Sequence, residues 1–333
     1  MITIRTDANK SIATGHLMRT LTIARECLHL NIPISFIFAD TESEKIFKKI
    51  NPDWSKFNIK ILNTQYDKPE TELDKLFSII TNPKPTCIII DSYFITPRYL
   101  TEINKKVRTI YLDDLNLFDH PVDMVINYCI NAENLYTQSA HKEKKYLLGT
   151  KYVPIRNQFR NTSYQVKQKI TDILITTGGA DDENIISKII DATCITLDNS
   201  VNCHVVIGML NKHRENLSKT ASKNPKIIIY ENHLEMASLM QKCDLAISAA
   251  GSTIYELCAI GVPTICFTTA DNQIPNATGL AANKALIYAK DKDFATHINK
   301  LANDYQQRKK LSETMQNLVD GYGASRIVSQ LLS

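Results

Sequence analysis

The chain has 333 residues, 44% of them hydrophobic and 22% charged, and a formal net charge of +4. That length exceeds one typical core and points to two domains. The nearly balanced charge excludes a dedicated nucleic-acid binder, which gathers basic residues on one face; the densest basic stretch, "HKEKK" at 141–145, is broken by Glu143 and reads as solvated surface.

In chain order, the first half opens on the strand-like run "ITIRT" (2–6), which leaves no room for a signal peptide. A small-residue loop and a helix follow in "SIATGHLMRTLTIA" (11–24), where Leu17, Leu21, Ala24 and Leu28 line one helix face. Further strands are expected at "ISFIFAD" (34–40), "IKILN" (59–63), "CIIID" (87–91), "TIYLDD" (109–114) and "DMVIN" (123–127). The polar segment "VPIRNQFRNTSYQVKQKI" (153–170) reads as a linker. Beyond it, strands are expected at "DILITT" (172–177), "HVVIG" (204–208), "KIIIY" (226–230), "LAISAA" (245–250), "PTICFTT" (263–269) and "ALIYA" (285–289). Met236, Leu239 and Met240 share a helix face and read as core filling.

Most of these strands are continuous apolar runs, as parallel strands covered on both faces require. Their alternation with helices implies right-handed crossovers and doubly wound sheets. The expected fold is α/β: two Rossmann-like domains, residues 1–158 and 159–333, with parallel sheets facing a central cleft. The eight cysteines form no CxxC pair and mostly lie in apolar surroundings, so they read as buried thiols of a cytoplasmic protein without a structural metal. No apolar run approaches the roughly 20 residues of a membrane span.

In open α/β sheets ligands sit at the carboxyl ends of strands, against helix N-termini. Four strand-to-helix loops carry suitable residues. In the first, Gly15 permits close approach of a ligand, and His16 falls at the first helical turn, where the dipole disfavours imidazolium and suits a general base. Arg19, one turn on, suits a phosphate or carboxylate. In the second, "TTGGADDEN" (176–184), Gly178 and Gly179 allow backbone amides to face a phosphate, while Asp181 and Asp182 also fit as helix caps. In the third, "SAAGSTIYELCAIGVPTICFTTADNQ" (248–273), Gly251, Ser252 and Thr253 suit a pyrophosphate. Glu256 suits a pair of ribose hydroxyls or, with Ser252 or Thr253, a capping box. The fourth pairs "DSYF" (91–94) with "LDDLN" (112–116), where Asp91, Tyr93, Asp113 and Asp114 can orient a sugar or a water, or simply form turns.

Taken as an ordered set, these segments resemble the UDP-sugar hydrolases of pseudaminic acid biosynthesis. Those enzymes act on UDP-2,4-diacetamido-2,4,6-trideoxy-β-L-altrose and are similar in fold to the GT-B glycosyltransferases of the type that makes peptidoglycan lipid II. The likeness runs through "RTDANKSIATGHLMRTLTIA", "DSYFITPRYL", "YLDDL", "YLLGTKYVPIRNQF", "TTGGADDEN", "IGMLNKH", "MASLMQKCDLAISAAGSTIYELCAIGVPTICFTTADNQ" and "LVDGYGASRI". It implies that His16 is the catalytic residue, that Gly251, Ser252, Thr253 and Glu256 bind uridine diphosphate, and that Asn272 and Gln273 reach toward the diphosphate and sugar. The chain departs from the pattern at Thr20, at Ala250, and at Ala13, where a glycine is usual; Ala13 fits such a loop with a negative φ.

The implied reaction is hydrolysis of a UDP-activated amino sugar. His16 would deprotonate the attacking water, Arg19 or Asp91 would position water or sugar, and the amides and hydroxyls around Gly178, Gly179 and Gly251–Thr253 would stabilise the leaving diphosphate. No metal and no cofactor is called for. An inverting glycosyltransferase of the same architecture and a non-catalytic sugar-nucleotide-binding module are the alternatives.

Overall fold

The computed structural model describes residues 1–136, 144–197 and 201–333, so residues 141–143 of the basic stretch lie outside the described residues. The chain divides into two compact units, Met1–Pro154 with Tyr322–Ser333, and Ile155–Gly321.

The first unit runs β1 (Ile2–Thr6), α1 (Gly15–His29), β2 (Ile34–Phe38), α2 (Thr41–Ile50), β3 (Asn58–Ile61), α3 (Leu73–Ile80), β4 (Cys87–Asp91), α4 (Pro97–Asn104), β5 (Thr109–Leu112), β6 (Met124–Asn127) and β7 (Lys145–Leu148). The strands form one sheet in the order β3-β2-β1-β4-β5-β6-β7, with every pairing parallel. Alternate side chains feed the two faces. Ile2 and Ile4 pack with Leu17, Leu21 and Ala24 of α1 on one face, and Ile37, Ile88 and Ile90 with Tyr99, Leu100 and Ile103 of α4 on the other. β7 escapes the sequence reading because "KYLL" is a short, half-buried edge strand.

The second unit runs β8 (Asp172–Thr176), α5 (Ile185–Thr196), β9 (Asn202–Ile207), α6 (Arg214–Lys223), β10 (Ile227–Glu231), α7 (Met236–Lys242), β11 (Leu245–Ala249), α8 (Thr253–Ile260), β12 (Thr264–Phe267), α9 (Ile274–Ala282), β13 (Ile287–Tyr288), α10 (Phe294–Asn303) and α11 (Tyr305–Leu318). Its sheet is again wholly parallel, in the order β10-β9-β8-β11-β12-β13. Met236, Leu239 and Met240 are buried.

Two boundaries differ from the sequence expectation. The last helix, α12 (Gly323–Leu332), belongs to the first unit, where Ile327, Val328 and Leu331 join the Ile2–Leu17 core. Arg108 donates to its terminal carbonyls at Leu331 (2.8 Å) and Gln330 (3.3 Å), satisfying acceptors that a helix end leaves open. The segment 153–170 is not a free linker: from Ile155 it is part of the second unit, with Ile155 and Phe159 buried. All eight cysteines are free thiols, and seven are buried. Among the described residues no helix is long and apolar enough to cross a membrane.

Each sheet reverses its strand order once, between β1 and β4 and between β8 and β11. Ligands of open α/β sheets bind at these reversals, beyond the carboxyl ends of the strands. One buried ion pair stiffens the first reversal from the face opposite α1. The Arg5 guanidinium of β1 holds both Glu72 oxygens at 2.7 Å and also bonds Asp7, while Tyr99 of α4 donates to Glu72 at 2.5 Å. Removing one partner of such a pair leaves an uncompensated buried charge, which costs about 3–5 kcal/mol. Glu72→Ala is therefore expected to lower the unfolding free energy of the first unit by about that amount, measured by urea denaturation.

Candidate active site

The loop after β1 is built by Asn9, whose side-chain oxygen accepts from the amides of Ser11 (2.9 Å) and Ile12 (3.1 Å). The loop closes at Ala13, whose φ is +56°. The negative φ expected of alanine is not adopted: the residue takes the left-handed conformation for which glycine is the unstrained choice, at a cost of about 1–2 kcal/mol. Thr14 then precedes α1 without a side-chain cap, and a side chain at Gly15 would meet no protein atom within 4 Å. The N-terminus of α1 is therefore without a side-chain cap next to His16, the second residue of the helix.

His16, Arg19, Asp91 and Tyr93 come together at the first reversal. Asp91 ends β4, opposite Thr6 of β1, and is fully buried. Its carboxylate takes a bidentate grip from Arg19, with Nε and Nη2 each donating at 2.6 Å, and bonds Nδ1 of His16. Burial pushes the Asp91 carboxyl up, but the Arg19 guanidinium and then His16 outweigh it and hold it at about 2. A carboxylate only accepts, so Nδ1 of His16 is the donor toward Asp91, and in the neutral imidazole this tautomer puts the lone pair on Nε2. Arg19 continues to Asp114, where Nη1 reaches both oxygens at 2.8 Å, and to the Tyr128 hydroxyl at 2.8 Å. Tyr93 donates to Asp114 at 2.7 Å and sets its ring edge-on to His16, centroids 4.4 Å apart. The five side chains His16, Asp91, Arg19, Asp114 and Tyr93 thus form a closed ring of contacts.

Asp113, one of the two neighbouring aspartates singled out in the sequence, is not in that ring. Its oxygens accept from the amides of Leu115 (3.0 Å) and Asn116 (3.0 Å) and from the Tyr136 hydroxyl, so it folds its own loop. Asp114, the other, faces Arg19 and Tyr93 instead. Tyr128, which follows β6, was missed altogether; only its aromatic type at a strand end could have signalled it.

In the second unit the loops after β8 and β11 flank the second reversal. Gly178 has φ +80° and its amide donates to Thr176 Oγ1 at 3.2 Å, so that N–H is used within the loop rather than offered outward. Gly179 is held by its carbonyl, which accepts from Leu210 at 2.9 Å. The loop lies directly on Gly208, where a Cβ would come 2.1 Å from the Gly178 oxygen, so Gly208 is the glycine this packing demands. Asp181 is a cap, accepting from the amides of Ile185 (2.7 Å) and Ile186 (3.1 Å); Asp182 pairs with Lys212 at 2.7 Å on the surface.

After β11, Gly251 and Ser252 lead into α8, and Ser252 makes no side-chain cap bond. The capping box does not form, because Glu256 turns to Arg156, whose Nε and Nη2 both reach Oε1 at 2.9 Å. Burial raises the Glu256 pKa, and Arg156 opposes the rise. Gln273 lies beside Gly251, its Nε2 3.9 Å from where a Cβ would be, with its side-chain oxygen accepting from the Thr269 amide at 3.0 Å. Asn272 is exposed on the same short turn. Among the described residues, no group of three or more His, Cys, Asp or Glu side chains is placed to hold a metal ion.

Residues 172–331 match the model of the glycosyltransferase family 28 C-terminal domain. S. aureus MnaA, solved with UDP, superposes with a TM-score of 0.66 over 99% of this chain and 95% of its own, at 13% identity. The fold is that of the GT-B glycosyltransferases. The chain is 30% identical to the uncharacterized protein MJ1062 of Methanocaldococcus jannaschii over 278 residues, 79% of this chain and 54% of that one, and so spans about half the length of this relative. It is 23% identical over 290 residues to the UDP-2,4-diacetamido-2,4,6-trideoxy-beta-L-altropyranose hydrolase of Campylobacter jejuni, covering 84% of this chain and 96% of the other. The GT-B fold explains why the two reversals, one in each unit, carry the candidate residues.

The depressed Asp91 pKa has a stability consequence. Because the folded value of about 2 lies below the ordinary carboxylate value, the ionised cluster stabilises the fold above about pH 4. That contribution, on the order of 2 kcal/mol, is lost as pH falls from about 4 through about 2. Urea unfolding across this range is expected to show that the stability gap between the parent chain and Asp91→Asn narrows as the pH drops.

Proposed function

We propose that this protein hydrolyses a UDP-activated 2,4-diacetamido-2,4,6-trideoxy sugar to UDP and the free sugar, in the biosynthesis of a nonulosonic acid such as pseudaminic acid, with His16 as general base. The observation that carries the reading is the His16–Asp91–Arg19 arrangement: a buried carboxylate, itself clamped by a guanidinium, fixes the imidazole with its free nitrogen as a base. The likeness to the Campylobacter jejuni hydrolase along nearly that protein's whole length supports the same chemistry.

In this reaction Nε2 of His16 takes a proton from water as the water oxygen bonds to the anomeric carbon. The bond from that carbon to the diphosphate oxygen breaks, and UDP leaves with the electron pair. A single displacement inverts the anomeric centre. Asp91 compensates the charge the imidazole gains, as the orienting carboxylate of a catalytic triad does. Asp114 acts through its neighbours, holding Arg19 on Asp91 and Tyr93 against His16. In the second unit, Gly251, Ser252, Thr253 and Gln273 are assigned to the diphosphate and Glu256 to the ribose, on the first-turn amides of α8 and the acceptor strength of a carboxylate. Free buried thiols are consistent with a reducing compartment.

A second reading, transfer to an acceptor hydroxyl, is favoured by the family 28 domain match, and the same base serves it. Incubating UDP-2,4-diacetamido-2,4,6-trideoxy sugars with the protein and no acceptor separates the two by mass spectrometry. UDP and free sugar are expected together; release that waits for an acceptor overturns hydrolysis in favour of transfer. His16→Ala is expected to lower kcat by about 10²–10⁴-fold while UDP binding is kept; unchanged turnover removes His16 from the mechanism.

A further inference from the structure

The pairing of Arg156 with Glu256 is lopsided. Both guanidinium contacts, from Nε and Nη2, fall on Oε1 at 2.9 Å. Oε2 accepts no hydrogen bond from the described residues. Arg156 is itself anchored: Nη1 donates to the Leu234 carbonyl at 3.1 Å, and that carbonyl also accepts from Gln158 at 3.0 Å, whose side-chain oxygen in turn accepts from the Ala237 amide at 2.9 Å. The short segment Arg156–Gln158 therefore ties the β10–α7 loop to the first turns of α8.

We infer that Arg156 is a positioning residue that fixes Glu256 through one oxygen and presents the other to the 2′-hydroxyl of the ribose, so that the second unit selects ribonucleoside over deoxyribonucleoside diphosphates. The inference rests on the proposed assignment of the nucleotide to the second unit. A half-buried carboxylate left alone takes up a proton or turns to solvent. Either change removes the charged acceptor that makes a hydroxyl bond worth more than a neutral one. Arg156 prevents both: it supplies the countercharge, and its planar fork fixes the direction of the carboxylate. A site built around a hydroxyl rejects the analogue that lacks it, because its polar group is then left unpaired.

Calorimetric titration of the whole chain with UDP and with 2′-deoxy-UDP reads this directly. The parent chain is expected to bind UDP about ten- to a hundredfold more tightly than 2′-deoxy-UDP. Arg156→Gln is expected to bring that ratio close to one, by weakening UDP and leaving 2′-deoxy-UDP nearly unchanged. Arg156→Lys, which keeps the charge and loses the fork, is expected to fall between and serves as the test should Arg156→Gln not fold. Glu256→Gln is expected to abolish the preference, and adding Arg156→Gln to it to change nothing further. A preference that survives in both Arg156 variants, or UDP and 2′-deoxy-UDP losing affinity in parallel, overturns the role given to Arg156. A parent chain that binds neither nucleotide overturns the nucleotide assignment itself, and absence of sugar hydrolysis with the preference intact overturns only the hydrolase reading.

Discussion

Everything proposed for the first unit depends on one buried ion pair, the bidentate grip of Arg19 on Asp91. A carboxylate taken fully out of water is stable only with its countercharge and hydrogen bonds in place. Arg19 supplies both and has donors left for Asp114 and Tyr128. Once Asp91 is fixed and ionised, the neutral tautomer of His16 follows, because a carboxylate accepts from Nδ1 and leaves Nε2 for the proposed role of base. Arg19 lies one helical turn beyond His16 on α1, so the helix that offers the base also carries the clamp that disciplines it. The rigid α1, packed by Leu17, Leu21 and Ala24 on the sheet, sets the spacing of the two.

The second unit uses the same topology with different chemistry. The first reversal gathers charged side chains around a helix N-terminus without a cap. The second gathers small residues and amides, with one carboxylate held by an arginine from the segment after the unit boundary. Packing at Gly208 shows that the loop after β8 is a structural joint, where backbone rests on backbone.

Much of this was legible in the residues. Apolar runs marked twelve of the thirteen strands, most of them continuous because buried parallel strands leave little room for polar residues. His16, Arg19 and Asp91 were legible as a helix start and a strand end, two features with local signatures. What escaped depended on contacts between distant segments. Of the pair Asp113 and Asp114, the one that turns back into its own loop is decided by Leu115 and Asn116 amides, which no spacing rule reveals. Arg156 lay in a segment read as linker, and only the fold brings it to Glu256, a hundred positions later. α12 returned to the first unit because its apolar face, Ile327, Val328 and Leu331, finds its partners there. At Ala13 the residue type argued for negative φ, yet loop closure through Asn9 imposes the opposite.

The central claim is that water activated by His16 attacks the anomeric carbon. Turnover of the UDP-diamino-sugar in H₂¹⁸O, followed by mass spectrometry of both products, tests it most directly. The account predicts the label in the free sugar, none in UDP, and the first-formed anomer inverted by NMR. Label in the β-phosphate of UDP contradicts it, because water would then have attacked phosphorus.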